Sequence, residues 1–179
     1  MTPALALRRL YFIRFGFAVV WAALLALTGS ELGVTAAILL VLYPLVDVAA
    51  AVVDARWSRA GAATTGLYLN IAISTLAGLG LVFATTSGIP AVLRVWGAWA
   101  ILAGLIQLIV AVRRRRLGGQ WAMILSGAIS TLAGTSFILT AAQDDPSLTS
   151  LAGYAALGGL FFLISAVRLG RAARPTEGL

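Results

Sequence analysis

The stretch AILAGLIQLIVAVR at residues 100–113 recurs as AALGGLFFLISAVR at residues 155–168, with nine of the fourteen positions identical. A second block, AISTLAG, occurs at residues 72–78 and again at residues 128–134, a displacement of 56 positions. Pro90 and Pro146 keep this displacement. Because the blocks recur in the same order, the sequence indicates an internal repeat.

A more divergent copy of the same unit precedes these two. A displacement of 60 positions aligns PLVDVAAAV at residues 44–52 with GLIQLIVAV at residues 104–112 and places Asp47 opposite Gln107. Each copy contains two long apolar runs, which is the pattern of a helical hairpin. Three hairpin repeats are therefore predicted, over about residues 10–54, 62–112 and 121–168.

The composition indicates that these hairpins lie in a membrane. Of the 179 residues, 61% are hydrophobic and 11% are charged, and the mean hydropathy is +1.00. A spanning helix needs about 20 apolar residues, so six spans leave little of the chain for a soluble domain. We predict an all-α integral membrane protein with a single transmembrane domain over residues 1–179 and a short cytoplasmic tail at residues 169–179. The six transmembrane helices are predicted at residues 10–28, 32–53, 62–85, 89–112, 121–142 and 148–167.

Arginine placement predicts how the hairpins are oriented. Lys and Arg in short loops are retained on the cytoplasmic side of a membrane. Eleven arginines fall at one end of the predicted spans, whereas the opposite turns carry Glu31, Asp144 and Asp145. Both termini are therefore expected to be cytoplasmic, and the three hairpins to be oriented in parallel. The arginines are spread over short segments beside the membrane, which favours contact with anionic lipid headgroups over nucleic-acid binding.

Four tryptophans lie near the predicted membrane boundaries. Trp57 and Trp121 are placed at the cytoplasmic boundary, and Trp96 and Trp99 in the outer part of the fourth span. Tryptophan is enriched where a membrane meets water. We interpret all four as interfacial belt residues rather than as a ligand cage.

The polar residues of the spans gather at one depth. In an antiparallel hairpin, residues equally far from the turn lie at equal depth, which pairs Arg14 with Asp47 and Asn70 with Gln107. The third hairpin places Ser126 at the same level. Because an isolated ionised side chain costs about 2.5–3.5 kcal/mol at the centre of a span, we predict an Arg14–Asp47 salt bridge. This polar centre is either a structural ion pair or a permeation, proton-relay or ligand site, unless Arg14 extends alone to the surface.

Arg94 lies one turn inside the outer end of the fourth span, at the level of three carboxylates. We predict an outer ionic latch between Arg94 and Glu31, Asp144 or Asp145, in preference to an anion site. A carboxylate metal site needs converging oxygen ligands, and only Asp144 and Asp145 are adjacent, so no metal site is predicted.

Small residues recur at equivalent positions of the repeats and predict where helices touch. In lipid, close approach of two backbones replaces the hydrophobic effect as the drive for helix association. The predicted packing residues are Ser74, Gly78, Ser130, Gly134, Gly104 and Gly159.

The chain contains no cysteine and no histidine. This composition excludes disulfides, thiolate chemistry, imidazole bases and the usual zinc and haem ligands. An intramembrane enzyme would need its nucleophile and base from among Ser74, Ser130 and Asp47. We therefore expect no enzyme activity and no cofactor.

With these repeats and spans, the chain resembles the HdeD family of short-repeat bacterial acid-resistance membrane proteins. The resemblance rests on the two long repeated blocks, on AISTLAG and on six spans with cytoplasmic ends. It implies a non-enzymatic protein of the bacterial inner (plasma) membrane, linked to acid or envelope stress, with no catalytic residues to carry over.

Two other functions are compatible with the sequence. One is a small channel or carrier whose pathway runs around Arg14 and Asp47. The other is a membrane subunit or scaffold of a larger complex, because the short loops leave mainly lipid-facing surfaces for association with a second copy or another membrane protein.

Overall fold

Six long α-helices make up nearly all of the described chain. The computed structural model describes residues 3–57, 62–117 and 120–172, and these ranges contain no strand. Each helix is long and apolar enough to cross a membrane. The helices are α1 (Pro3–Thr28), α2 (Val34–Trp57), α3 (Ala62–Ala84), α4 (Ile89–Arg113), α5 (Gln120–Thr140) and α6 (Thr149–Ala172), with a 3-10 turn at Arg115–Leu117.

The first and last helices extend beyond the apolar runs that predicted them. α1 begins at Pro3 instead of residue 10, and α6 continues past residue 167 to Ala172. Proline suits the first turn of a helix, where its missing N–H has no intrahelical partner in any case. Hydropathy marks only the apolar part of a helix, whereas backbone hydrogen bonding continues into polar surroundings. The predicted tail therefore starts inside α6, and its residues 173–179 lie outside the described residues.

The turn between α3 and α4 depends on one glycine. Gly88 precedes α4 with a φ of +97°, a region that favours glycine because a Cβ would be strained there. Pro90 occupies the first turn of α4. The sequence Gly-Ile-Pro thus defines both the reversal of the chain and the start of the next helix.

The helices pack in chain order, and the last helix returns to the first. The most extensive contacts join α4 with α5, α1 with α6, and α2 with α3. In each of these pairs, the two helices come from different predicted hairpins. Contacts within the hairpins, between α1 and α2, α3 and α4, and α5 and α6, are less extensive. The six helices therefore close into a bundle around a common interior.

The two ends of the bundle differ in their buried side chains. We call the end with the turns at 29–33, 85–88 and 141–148 the carboxylate end, and the opposite end the arginine end. A large core at the carboxylate end includes Leu25, Leu93 and Leu148. A smaller core at the arginine end includes Leu7 and Leu169.

Four aromatic side chains meet in the core of the bundle. The rings of Trp21 and Trp96 stack with their centroids 5.3 Å apart, and Trp96 meets Trp99 edge-on at the same separation. Tyr43 contacts Trp21 with a centroid separation of 4.7 Å. The indole N–H of Trp21 donates to the carbonyl of Leu39 at 2.7 Å. We call Trp21, Tyr43, Trp96 and Trp99 the aromatic cluster.

The belt interpretation is wrong for Trp96 and Trp99. Trp96 is fully buried and Trp99 is 5% exposed, whereas Trp57 and Trp121 are 49% and 68% exposed. A position along the helix axis decides whether a residue is near a membrane boundary, but the direction around the axis decides whether it faces lipid. In α4, Trp96 and Trp99 are three residues apart and share the inward face.

Candidate functional site

A buried carboxylate joins three helices in the middle of the bundle. Asp47 of α2 is 7% exposed, and its Oδ1 accepts a hydrogen bond from the guanidinium of Arg14 in α1. Its Oδ2 accepts from Asn70 Nδ2 at 2.7 Å and from Ser74 Oγ at 2.9 Å, both in α3. Ser74 Oγ accepts in turn from the indole N–H of Trp99 in α4 at 2.9 Å. Both oxygens of Asp47 are thus bonded, and the network reaches four helices.

The Arg14–Asp47 salt bridge predicted from equal depth is present. The Arg14 side chain is 22% exposed and stays inside the bundle. Its guanidinium carbon lies 4.2 Å from the ring centroid of Phe162 in α6, a cation–π contact. Arg14 therefore connects the carboxylate of α2 to an aromatic face on α6.

A second ion pair lies nearer the arginine end. Arg114 Nη1 donates to Asp54 Oδ2 at 2.7 Å, and the two side chains are 9% and 15% exposed. Asp54 follows Asp47 by seven residues in α2, so the two carboxylates share one helix face roughly 10 Å apart along the axis. Two ion pairs of the described residues thus lie in the interior of the bundle, at two levels.

Both ion pairs line one cavity of about 100 Å³ in the bundle interior. All six helices contribute to its wall. The wall includes every residue of the predicted polar centre, namely Arg14, Asp47, Asn70, Gln107 and Ser126. The argument from equal depth therefore grouped residues from five helices that the structure places around one cavity.

Aromatic and amide side chains complete the wall of the cavity. Tyr43 and Trp99 of the aromatic cluster line it, as do Tyr11 and Gln120 near the arginine end. Gln107 also lines it and donates from Nε2 to the carbonyl of Met123 at 3.2 Å. The cavity combines hydrogen-bonding groups with flat apolar surfaces, as ligand pockets commonly do.

Sequence reasoning missed two aromatic donors that follow the repeat. Tyr154 donates from its hydroxyl to Ser130 Oγ at 3.0 Å, as Trp99 donates to Ser74. Trp99 and Tyr154 are 55 positions apart and the two serines are 56 apart, the displacements that align the repeats. The repeat alignment contained this signal, but the two serines were considered as packing residues or as nucleophiles and not as hydrogen-bond acceptors.

The structure does not form the predicted outer ionic latch. Within the described ranges, no ion pair joins Arg94 to Glu31, Asp144 or Asp145, and Arg94 Nη2 instead lies 3.5 Å from the carbonyl oxygen of Ala141. All four charged residues are exposed, and an exposed ion pair adds little stability. Among the described residues, no group of three or more carboxylates is placed to hold a metal ion.

Predicted packing glycines lie where α4 meets α5. A Cβ added to Gly104 would lie 2.8 Å from the carbonyl oxygen of Gly127 and 2.8 Å from Ser130 Cβ. A Cβ added to Gly134 would lie 2.5 Å from the carbonyl oxygen of Gly97. The two backbones therefore touch at two levels, Gly97 with Gly134 and Gly104 with Gly127. Gly97 and Gly127, which the sequence prediction did not include, complete this glycine seam.

The other predicted packing residues lie at the equivalent contacts between hairpins. A Cβ at Gly78 of α3 would lie 3.2 Å from Leu45 Cδ2 in α2. A Cβ at Gly159 of α6 would lie 3.1 Å from Ala18 Cβ in α1. Ser74, also predicted, is fully buried and bonded to Asp47 across the α2–α3 contact.

Comparison with known proteins finds a match for the middle of the chain. No curated protein and no solved structure matches the chain significantly. A family model described as a short repeat of unknown function (DUF308) matches residues 69–139. The matched segment includes both copies of AISTLAG and the AILAGLIQLIVAVR block. Residues 69–139 are therefore similar to the DUF308 short repeat, within a helical chain whose six long apolar helices indicate a multi-pass membrane protein.

Proposed function

We propose that this chain is a non-enzymatic, multi-pass protein of the bacterial inner membrane that contributes to acid or envelope stress tolerance. The proposal follows the resemblance to the HdeD family, whose members carry the DUF308 repeat. Six helices that can span a membrane, separated by segments of only a few residues, support a function exerted within the bilayer.

The observation that carries the non-enzymatic part of the proposal is the bonding around Asp47. Its two oxygens are already bonded to Arg14, Asn70 and Ser74. Ser74 is fully buried and is not part of the cavity wall, so its hydroxyl is out of reach of a substrate. These groups serve to hold helices together, and a carboxylate so occupied is poorly suited to act as a general base.

We further propose that the three hairpins are oriented in parallel about an axis along the membrane normal, with both termini cytoplasmic. The three extensive contacts, α2 with α3, α4 with α5 and α6 with α1, are equivalent if each hairpin is rotated onto the next. The arginine end would then face the cytoplasm and contact anionic lipid headgroups.

Single cysteines in this cysteine-free chain test the orientation. Ser87→Cys places a thiol in the turn before α4, and Arg115→Cys places one just after α4, both at exposed positions. A membrane-impermeant maleimide added to spheroplasts is expected to label Ser87→Cys and to spare Arg115→Cys. Both variants should be labelled after permeabilisation. The opposite pattern in intact spheroplasts would invert the proposed topology.

Survival assays test the physiological role. A deletion strain should survive acid or envelope stress less well than its parent, and the wild-type chain should restore survival. The Arg14→Met/Asp47→Leu double variant removes both charges together, and it should also restore survival if this pair is structural. Unchanged survival of the deletion strain under both stresses would refute the proposed role, and membrane abundance of each variant is the control.

A channel or carrier is the second candidate, because the polar residues of all three hairpins line one cavity. Such a function requires Arg14 and Asp47 in the pathway. Proteoliposomes containing the wild-type chain should then conduct protons faster than empty liposomes, as followed by an enclosed pH dye. Conduction that is equal in the wild type and in the double variant would remove the basis of this candidate.

A further inference from the structure

The cavity has unused hydrogen-bonding groups that the fold itself does not need. Tyr43 lines it, and no hydroxyl hydrogen bond of Tyr43 occurs among the described residues. Gln107 Oε1 and Asn70 Oδ1 are likewise without a donor in that part of the chain, although each amide nitrogen is bonded. Arg14 has five N–H donors and directs one of its terminal nitrogens at Asp47. The wall thus offers both donors and acceptors to an occupant.

The charges of the cavity wall compensate each other. Arg14 is paired with Asp47, and Arg114 with Asp54. A bound ion would add a further charge to an interior in which each existing charge already has an opposite partner. Burying an unpaired charge is costly, whereas a neutral hydrogen-bonding group can use the unused donors and acceptors.

The size and the flat surfaces of the cavity limit the occupant further. An apolar protein cavity of about 150 Å³ holds one benzene molecule, so the cavity of about 100 Å³ accepts a somewhat smaller molecule. The rings of Tyr43, Trp99 and Phe162 form apolar parts of its wall. A short hydrocarbon group would pack against these rings.

We propose that this cavity is a binding site for a small uncharged molecule that carries an adjacent donor and acceptor, as in a primary amide or an undissociated short-chain carboxylic acid. The acceptor of the ligand faces Arg14 and the hydroxyl of Tyr43. The donor faces the amide oxygens of Asn70 and Gln107. The site selects against the corresponding carboxylate anion.

Propionamide and propionate form a matched pair of probes, since they have nearly the same shape and differ in charge at neutral pH. Saturation-transfer NMR with the full chain in lipid nanodiscs measures their binding, with empty nanodiscs as the blank. We expect propionamide to bind at least about tenfold more tightly than propionate, because the anion would lie unpaired in the bundle. Absence of propionamide binding, or equal or tighter binding of propionate, would overturn the proposal.

Two conservative variants locate the binding site. Tyr43→Phe removes only a hydroxyl, and Gln107→Leu removes the amide while keeping the volume. Each should weaken propionamide binding about three- to tenfold, the effect of losing one neutral hydrogen bond. The matched controls Tyr68→Phe and Gln143→Leu change the same groups at exposed positions outside the cavity and should bind as the wild type does. Equal weakening in controls and cavity variants would place the binding elsewhere and refute the site.

The binding test is independent of the proposed stress role. The nanodisc assay needs neither transport nor a living cell, so a failure of binding leaves the survival phenotype untouched. Conversely, a deletion strain without a phenotype would leave the measured affinity of the cavity as it is.

Discussion

At the scale of single residues, Asp47 is the side chain on which the interior depends most. It accepts hydrogen bonds from Arg14, Asn70 and Ser74 while only 7% of its surface is exposed. An interior charge of this kind is tolerated because its partners replace the water that it has lost. Removing one member of such a pair is worse than removing both, since the remaining charge is then buried without compensation.

A comparison of a single and a double variant tests this dependence. Asp47→Leu alone should lower the free energy of unfolding by about 3–5 kcal/mol, because Arg14 then stays buried and unpaired. The Arg14→Met/Asp47→Leu double variant should lose less than Asp47→Leu. SDS titration followed by tryptophan fluorescence gives both values. Asp144→Leu, at an exposed position, is the control and should change stability by at most about 0.5 kcal/mol. A double variant that loses as much stability as Asp47→Leu, or more, would contradict this dependence.

At the scale of helices, the sequence predicted the depth of residues along the bundle well, but it predicted poorly which way they face around each helix axis. Six spans were expected and the described residues contain six long helices, and Arg14 pairs with Asp47 as their equal depth predicted. Hydropathy is nearly uniform around these helices because one side faces lipid and the other a packed interior, both of them apolar. Hydropathy could therefore not predict the rotation of each helix about its axis. This explains why Trp96 was assigned to the surface and Arg94 to a latch that does not form.

The glycine seam between α4 and α5 has a repeated spacing in each helix. Gly97 and Gly104 are seven residues apart, as are Gly127 and Gly134. Seven residues make nearly two turns, so each pair lies on one helix face, and antiparallel α4 and α5 match Gly97 with Gly134 and Gly104 with Gly127. The repeated spacing thus produces two levels of direct backbone contact.

Filling this seam should loosen the contact between α4 and α5. Gly134→Ala puts a methyl group 2.5 Å from the carbonyl oxygen of Gly97, so one backbone has to shift. We expect a loss of about 1–3 kcal/mol in the free energy of unfolding, measured by SDS titration. Gly153→Ala is the matched control, since nothing lies within 4 Å of the added methyl group there. That variant should gain about 0.5–1 kcal/mol from helix propensity. Equal stability of the two variants would contradict the seam.

At the scale of the whole molecule, the bundle is closed by its first and last helices. α1 packs more extensively on α6 than on α2, its neighbour in sequence. Hydrophobic runs could not predict this pairing, because any two of the six helices offer similar apolar surfaces. The repeat indicated the α1–α6 pairing only indirectly, because Gly159 of α6 is at the position equivalent to the packing residue Gly104 of α4.

A disulfide between α1 and α6 tests whether these two helices pack against each other within one chain. Ala18 Cβ lies 3.1 Å from the position of a Cβ at Gly159, so a small adjustment gives the separation of about 3.8 Å that a disulfide needs. Oxidation of Ala18→Cys/Gly159→Cys in membranes should shift the electrophoretic mobility of the monomer, and reduction should reverse the shift. Ala18→Cys/Gly153→Cys, with no neighbour at residue 153, should remain unlinked. Linking in both pairs, or in neither, would argue against a fixed α1–α6 contact.

The pairing of α1 with α6 has a consequence for biosynthesis. α1 is translated before α6, although α6 is the helix on which α1 packs most extensively. During elongation α1 can satisfy Arg14 through Asp47 of α2, while its inward side chains Leu7 and Tyr11 still lack the residues of α6 that cover them. The bundle can therefore close only after α6 has been made, and a nascent chain stalled before α6 would expose this side of α1 to chaperones and proteases.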